Sequence, residues 1–224
     1  MIEAVLFDWN NTLVQFTWDD EMLAEGHRAA LAAVGSREDP SSFTRRYRAV
    51  VLERATPGDD YGELLRELGV DDVDRFVDAE HEAWQPAYAV LGSAHALLES
   101  LRGRGLRTGL VANSWPDAGR VLRADAERFG LAPLLDAIVF SEEVGSRKPQ
   151  PEIFLHALGL LGVEPEHAVF VGDGLETDVQ GAARIGMTTV QALWFRADDT
   201  PGIEPDFLAF TPMDVLNLVR RLAL

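Results

Sequence analysis

Apolar and polar positions follow two regimes along this chain. A short apolar run, Val5-Leu6-Phe7, ends in Asp8, and the polar pair Asn10-Asn11 follows at once. The run predicts a buried strand, and the Asn pair predicts a turn that tolerates unusual backbone angles. Residues 15–88 are then rich in charge and helix formers and carry no strand pattern. Breakers at Gly35, Pro40, Pro57-Gly58 and Gly69-Val70 divide them into four predicted helices, near 18–34, 41–55, 60–68 and 72–85. From residue 89 strand and helix patterns alternate. Ala94, Leu97, Leu98 and Leu101 recur at the spacing of an amphipathic helix. Leu106 to Ala112 predicts a strand closed by Asn113-Ser114, then come a helix over 117–129 and a strand from Ala137 to Phe140. Pro151 opens a helix in which Ile153, Phe154, Ala157, Leu158 and Leu161 share a face. Ala168 to Val171 predicts a strand ending at Gly172-Asp173, and Val179, Ala182, Ala183 and Gly186 mark the next helix. A strand from Thr188 to Leu193 and a helix over 212–222 complete the series.

This alternation predicts right-handed βαβ units and a parallel sheet covered by helices on both faces, an α/β fold. The helical block falls between the first strand and the rest, so it is an insertion. The expected division is a core of 1–14 plus 89–224 and an inserted helical unit of 15–88.

Composition narrows the function. The 224 residues are 47% hydrophobic, enough for one sizeable core and a smaller appended unit. A net charge of −17 repels nucleic-acid backbones and anionic membranes alike. Local positive potential can still admit a small phosphorylated molecule. Without cysteine there are no disulfides, thiolate nucleophiles or Cys-based zinc sites. Asp8 and Asn10 interrupt the apolar opening, so it does not read as a secretory signal, and no apolar run is long enough to span a membrane. A cytoplasmic protein is the expectation.

Four separated segments end strands or start loops with polar groups: Asp8 to Thr12, Ala112-Asn113-Ser114, Lys148, and Asp173 with Asp178. Ligands of an open α/β sheet sit beyond the carboxyl ends of its strands, where all four segments can converge. Phosphoryl transfer needs such a set. A carboxylate attacks phosphorus, Mg²⁺ with hard oxygen ligands offsets the repulsion, and a lysine with backbone N–H groups stabilises charge on the equatorial oxygens.

A buried strand followed by Asp-x-x-x-Thr-Leu is also how the haloacid dehalogenase-like hydrolases begin, and this sequence resembles them over nearly its whole length. The resemblance implies a Rossmann-like three-layer α/β/α core with an inserted helical cap that closes over the substrate. It implies Asp8 as nucleophile and Mg²⁺ ligand, with Asn10 at the general acid/base position and offering its backbone carbonyl to the metal. Ala112-Asn113 matches the second motif, where a Ser or Thr usually binds phosphate; Ser114 is a partial substitute. Lys148, in Arg147-Lys148-Pro149, matches the third-motif lysine, and Asp173 and Asp178 match the acidic metal-binding motif. Two positions depart from the pattern. Asn10 stands where phosphatases of the family carry a second Asp and cannot protonate a leaving group or activate water. Ala112 lacks the usual hydroxyl. The implied activity is Mg²⁺-dependent hydrolysis of a small phosphorylated metabolite by a monomer or homodimer. The alternatives are a metal-independent 2-haloacid dehalogenase, which has little reason to pair Asp173 with Asp178, and a catalytically weakened member that binds phosphometabolites or a protein partner.

Other residues carry less. The five His do not pair at metal spacing, and His81-Glu82 lacks the second His of a zinc-protease helix. Arg45, Arg46, Arg48 and Arg54 read as a solvated helix face bridging to nearby acids in preference to a second anion site. Trp9 and Trp115 directly flank motifs and are pocket candidates. Trp18, Trp84 and Tyr88 read as core of the helical block in preference to its entrance. Gly174 and Gly181 read as backbone permissiveness in the metal loop and close helix packing.

Overall fold

Val5, Leu6 and Phe7 lie in a strand without exposure on either face, as a strand inside a parallel sheet must. The computed structural model of the chain describes residues 1–17, 19–55, 60–114 and 118–222. In chain order its elements are β1 (Ala4–Phe7), β2 (Val14–Phe16), α1 (Asp20–Ala33), α2 (Pro40–Tyr47), a π-helical stretch (Arg48–Arg54), α3 (Tyr61–Glu67), α4 (Val73–Trp84), β3 (Tyr88–Val90), α5 (Ala94–Arg102), β4 (Arg107–Ala112), α6 (Gly119–Arg128), β5 (Ala137–Phe140), α7 (Ser141–Val144), α8 (Pro151–Leu161), β6 (Ala168–Gly172), a second π-helical stretch (Leu175–Gln180), α9 (Gly181–Ala183), β7 (Thr188–Ala192), β8 (Phe207–Ala209) and α10 (Pro212–Leu222). They group into two units. One comprises Met1–Phe16, Ala89–Ser114 and Arg123–Leu224; the other comprises Thr17–Tyr88 and Trp115–Leu122.

The first unit is built on a six-stranded sheet in the order β5-β4-β1-β6-β7-β8, with every neighbouring pair parallel. This is the α/β core that the alternating pattern predicts. β1 lies between β4 and β6, with Phe7 opposite both Leu110 and Val171. Ile153, Phe154, Ala157, Leu158 and Leu161 of α8 bury against Leu6, Val111, Val139 and Phe170. Val5 and Phe7 point to the other face, where α5 packs on β4 and α10. The sequence pattern gave no sign of β2, β3 or β8, each three residues long and too short to show a period.

Both sheet edges are fixed by the same device. Asp136 stands just before edge strand β5 and accepts hydrogen bonds from Thr108 of β4, at 2.8 Å from its N and 3.3 Å from its Oγ1, and from Arg102 Nη1 at 2.5 Å. Asp206 stands just before edge strand β8 and accepts from Thr189 N at 2.8 Å and Thr189 Oγ1 at 2.9 Å. Each carboxylate pins an edge strand, which makes few ladder bonds of its own, in one register.

The second unit is helical. Asp19, Asp39, Asp60 and Asp72 cap the N-termini of α1 to α4, each accepting from a backbone N–H three residues on. These caps explain why the helices start where they do. The predicted single helix over 41–55 is instead α2 continued by the π-helical stretch. α1 crosses α4 closely because residue 26 is glycine; a Cβ there would run into the indole of Trp84, whose Nε1 donates to Met22 O at 3.1 Å. Trp84 is thus core, and Tyr88 is buried beside His81. Arg46 pairs with Glu38, Arg48 with Asp20 and Arg54 with Glu67, which is the solvated-face reading of the basic cluster. Trp18, Trp115 and the Pro57-Gly58 breaker lie outside the described residues. No helix among the described residues is long and apolar enough to cross a membrane.

Burial works against the charge of Asp136, but the hydrogen bonds from Thr108 and the Arg102 guanidinium outweigh it and hold its pKa below the ordinary 3.8. A depressed carboxylate stabilises the fold above that value, and its contribution is lost as pH falls through the lowered pKa. Asp136→Asn therefore costs roughly 1 kcal/mol near neutral pH, a modest figure because the side chain is a third exposed. Urea unfolding at several pH values should show this deficit shrinking below pH 3.8. A deficit independent of pH contradicts the account.

Candidate active site

β1 delivers Asp8 to the carboxyl edge of the sheet, where its N–H still bonds Val171 O of β6 at 2.9 Å. The chain then turns back on itself. The N–H groups of Thr12, Leu13 and Val14 all point to Trp9 O, and Asn11 takes a left-handed φ of 55°, which Asn tolerates. Asp8 itself is buried.

Lys148 comes to Asp8 through β4. The Asn113 carboxamide at the end of that strand accepts from Lys148 N at 2.8 Å and donates to Lys148 O at 3.1 Å. Lys148 Nζ then lies 2.5 Å from Asp8 Oδ1 and 2.6 Å from Asp178 Oδ1. Asp178 is fixed on its other oxygen by Gly174 N–H at 2.9 Å. It sits in the π-helical stretch after β6, against Gly172, where any Cβ would collide with the Asp178 carboxylate. Glycine is thus required at 172 for the carboxylate to come this close to the strand.

Asp8, Asp173 and Asp178 each place a carboxylate oxygen within 4.8 Å of the others, and all three residues are buried. Burial pushes Asp8 up to about 7; Lys148 opposes the shift, while Asp178 and Asp173 add to it. Asp173 is raised by burial and by Asp178, against Arg196 and Lys148. Burial disfavours the Lys148 ammonium, but Asp178 and Asp8 outweigh it and hold the lysine above its usual range. Three clustered carboxylates with oxygen donors and a deficit of positive charge are the donor set that a hard divalent cation takes.

The remaining sequence-predicted positions fall around this cluster. Ala112 ends β4 and is buried. The Ser114 hydroxyl is engaged with Ser141 Oγ at 3.1 Å and accepts from Glu142 N–H at 3.1 Å. Trp9 is buried with its ring 6.2 Å from that of Phe129. Trp9 Nε1, Asn10 Oδ1 and Thr12 Oγ1 are buried atoms of the same turn, and none has a hydrogen-bond partner among the described residues.

The loop after β7 also reaches the site, although no motif in the sequence marks it. Arg196 Nε donates to Asp173 Oδ2. Asp198 accepts from Leu175 N at 2.8 Å, and its own carbonyl accepts from Gln191 Nε2 at 2.7 Å. Trp194 Nε1 donates to Thr12 O at 2.9 Å. One signal was available: Arg196 is the sole Lys or Arg between Arg184 and Arg220.

A sequence model of the family described as haloacid dehalogenase-like hydrolase matches residues 2–186. The glyceraldehyde 3-phosphate phosphatase of Methanopyrus kandleri is 34% identical, over 100% of this chain and 99% of that protein. Among solved structures, a HAD phosphatase from Thermococcus onnurineus superposes with a TM-score of 0.74 at 25% identity, covering 97% of this chain and 98% of that one. A 2-haloacid dehalogenase from Pseudomonas syringae pv. Tomato DC3000 gives a TM-score of 0.68 at 23% identity, over 99% of this chain and 100% of that one, a likeness of fold.

Lys148→Met removes the cation between Asp8 and Asp178. Breaking a buried pair by deleting one partner typically costs about 3–5 kcal/mol, and urea unfolding should show a loss of that size. A loss under roughly 1 kcal/mol contradicts the central role given to this ammonium.

Proposed function

The chain belongs to the haloacid dehalogenase-like hydrolase family, and we propose that it is a Mg²⁺-dependent, cytoplasmic phosphatase of a small phosphorylated metabolite, working through an aspartyl-phosphate on Asp8. The observation that carries this reading is the buried trio Asp8, Asp173 and Asp178 with Lys148 between two of its members. The similarity to a glyceraldehyde 3-phosphate phosphatase over the full chain supports a small phosphate ester as substrate. The inserted helical unit is assigned the role of cap.

The donor set fits the ion. Asp8, Asp173 and Asp178 would hold Mg²⁺, which offsets the repulsion between the attacking carboxylate and the phosphate dianion. Asp8 attacks phosphorus through a carboxylate oxygen, the bond from phosphorus to the ester oxygen breaks, and the alcohol leaves with a proton taken from solvent. Lys148 opposes the charge that builds on the equatorial oxygens. The Asn113 carboxamide keeps the lysine in place through two bonds to its backbone. Water then attacks the phosphoryl group, freeing inorganic phosphate and Asp8.

Asn10 makes both proton transfers slow, since a carboxamide has no useful proton affinity. Alkyl phosphates, whose alkoxide leaves poorly, suffer most; acyl and aryl phosphates suffer less. Asn10 also favours one other reading, a metal-independent 2-haloacid dehalogenase, which forms its ester on the same Asp and needs no second carboxylate. The pairing of Asp173 with Asp178 weighs against it.

Phosphate release over a panel of small phosphate esters should require Mg²⁺ and vanish in Asp8→Asn. Release of halide from 2-haloacids without metal would instead establish the second reading. General acid–base catalysis is worth about 10²–10⁴ in rate, so Asn10→Asp should raise kcat on an alkyl phosphate at least about tenfold. An Asn10→Asp enzyme no faster than its parent would show that proton transfer is not the step Asn10 limits.

A further inference from the structure

The two side-chain cations of the site are divided unequally among its three carboxylates. Lys148 Nζ reaches Asp8 and Asp178. Asp173 receives its hydrogen bond from Arg196. Its guanidinium is carried on a side chain 56% exposed, so it approaches Asp173 from the solvent side. The loop that carries it is not loose. Asp198, two residues on, holds Leu175 N–H in the same loop as Asp173, and its other oxygen is taken by Thr200 N and Oγ1 at 3.0 and 2.7 Å. Arg196 is therefore a solvent-facing charge on an anchored loop. A guanidinium stays protonated throughout the working pH range, so this charge is permanent.

We propose that Arg196 sets the affinity of the site for its divalent cation by competing with it for Asp173. The proposal rests on the reading of Asp8, Asp173 and Asp178 as the metal site. Lys148 and Arg196 together supply two positive charges against three negative ones. A dication entering this cluster gains most from the carboxylate that Lys148 does not touch, and that is the one Arg196 occupies. The guanidinium repels the incoming charge and takes a lone pair of Asp173 Oδ2. It acts through Asp173 and is not itself a ligand. The consequence is a site that takes up and gives up the cation more readily than three unopposed carboxylates would.

Mg²⁺ titration of the intact protein by isothermal calorimetry, without substrate, tests this. Arg196→Gln should bind Mg²⁺ roughly three- to thirtyfold more tightly than the parent, as expected for removing one unit charge a few ångströms from the ion at a partly exposed site. The gain should shrink as NaCl is raised. Arg196→Lys keeps the charge and should stay near the parent; Arg196→Ala should behave as Arg196→Gln does. Arg196→Gln binding Mg²⁺ no more tightly than the parent, or more weakly, overturns the proposal, and so does an equal gain in Arg196→Lys. Asp173→Asn separates this failure from failure of the metal reading. If the parent takes up no Mg²⁺, or Asp173→Asn binds it as well as the parent, the metal assignment falls and the proposal with it. If Asp173→Asn loses binding while Arg196→Gln matches the parent, only the competition is wrong.

Discussion

One ammonium organises this site. Lys148 Nζ bridges Asp8, at the end of β1, and Asp178, in the π-helical stretch after β6. Both carboxylates are buried, and without the lysine their mutual repulsion would add to the cost of removing them from water. The sheet order is what makes the bridge reachable. β4 and β6 flank β1, so Asn113 at the end of one neighbour can hold the Lys148 backbone while the loop after the other presents Asp173 and Asp178. Glycine at 172 lets Asp178 approach the strand, and Asp136 and Asp206 hold the sheet edges in register further out.

The parts of this arrangement that were legible in the sequence share a physical cause. β1, β5 and β6 are buried on both faces or nearly so and write themselves as continuous apolar runs, as does the second half of β4. Asp8 and Asp173 each terminate a run abruptly, so a charge at the end of an apolar stretch marks the functional edge. What stayed illegible was either short or distant in sequence. β8 is three residues long and gains its place through Asp206 and Thr189. Arg196 meets Asp173 across 23 residues and carries no motif of its own. Asn113 was expected beside phosphate, yet its carboxamide faces the Lys148 backbone, a use that spacing cannot reveal. The switch from α to π geometry at Arg48–Arg54 and Leu175–Gln180 likewise leaves no trace in apolar periodicity.

Asn10 gives the site its particular character. The carboxylates and Lys148 are what the first chemical step needs, whereas the proton transfers that accompany and follow it have no evident acid or base at position 10. The turn that carries Asn10 also holds three buried polar atoms without partners among the described residues, on Trp9, Asn10 and Thr12. Buried polar groups left unpaired are costly, and these three lie within four residues of Asp8. On the proposed mechanism, two demands are separated here: forming the covalent intermediate, and moving protons around it.

Every role proposed for this site depends on Asp8 being the nucleophile. Acid-quenched protein, taken during turnover of a phosphate ester in Mg²⁺ and analysed by intact mass with peptide mapping, tests it directly. The expected result is one added phosphoryl group on the peptide containing Asp8, accumulating because Asn10 slows its hydrolysis, and absent from Asp8→Asn. Steady release of phosphate with the phosphoryl group on another residue, or in a protein whose Asp8 has been replaced, would contradict it.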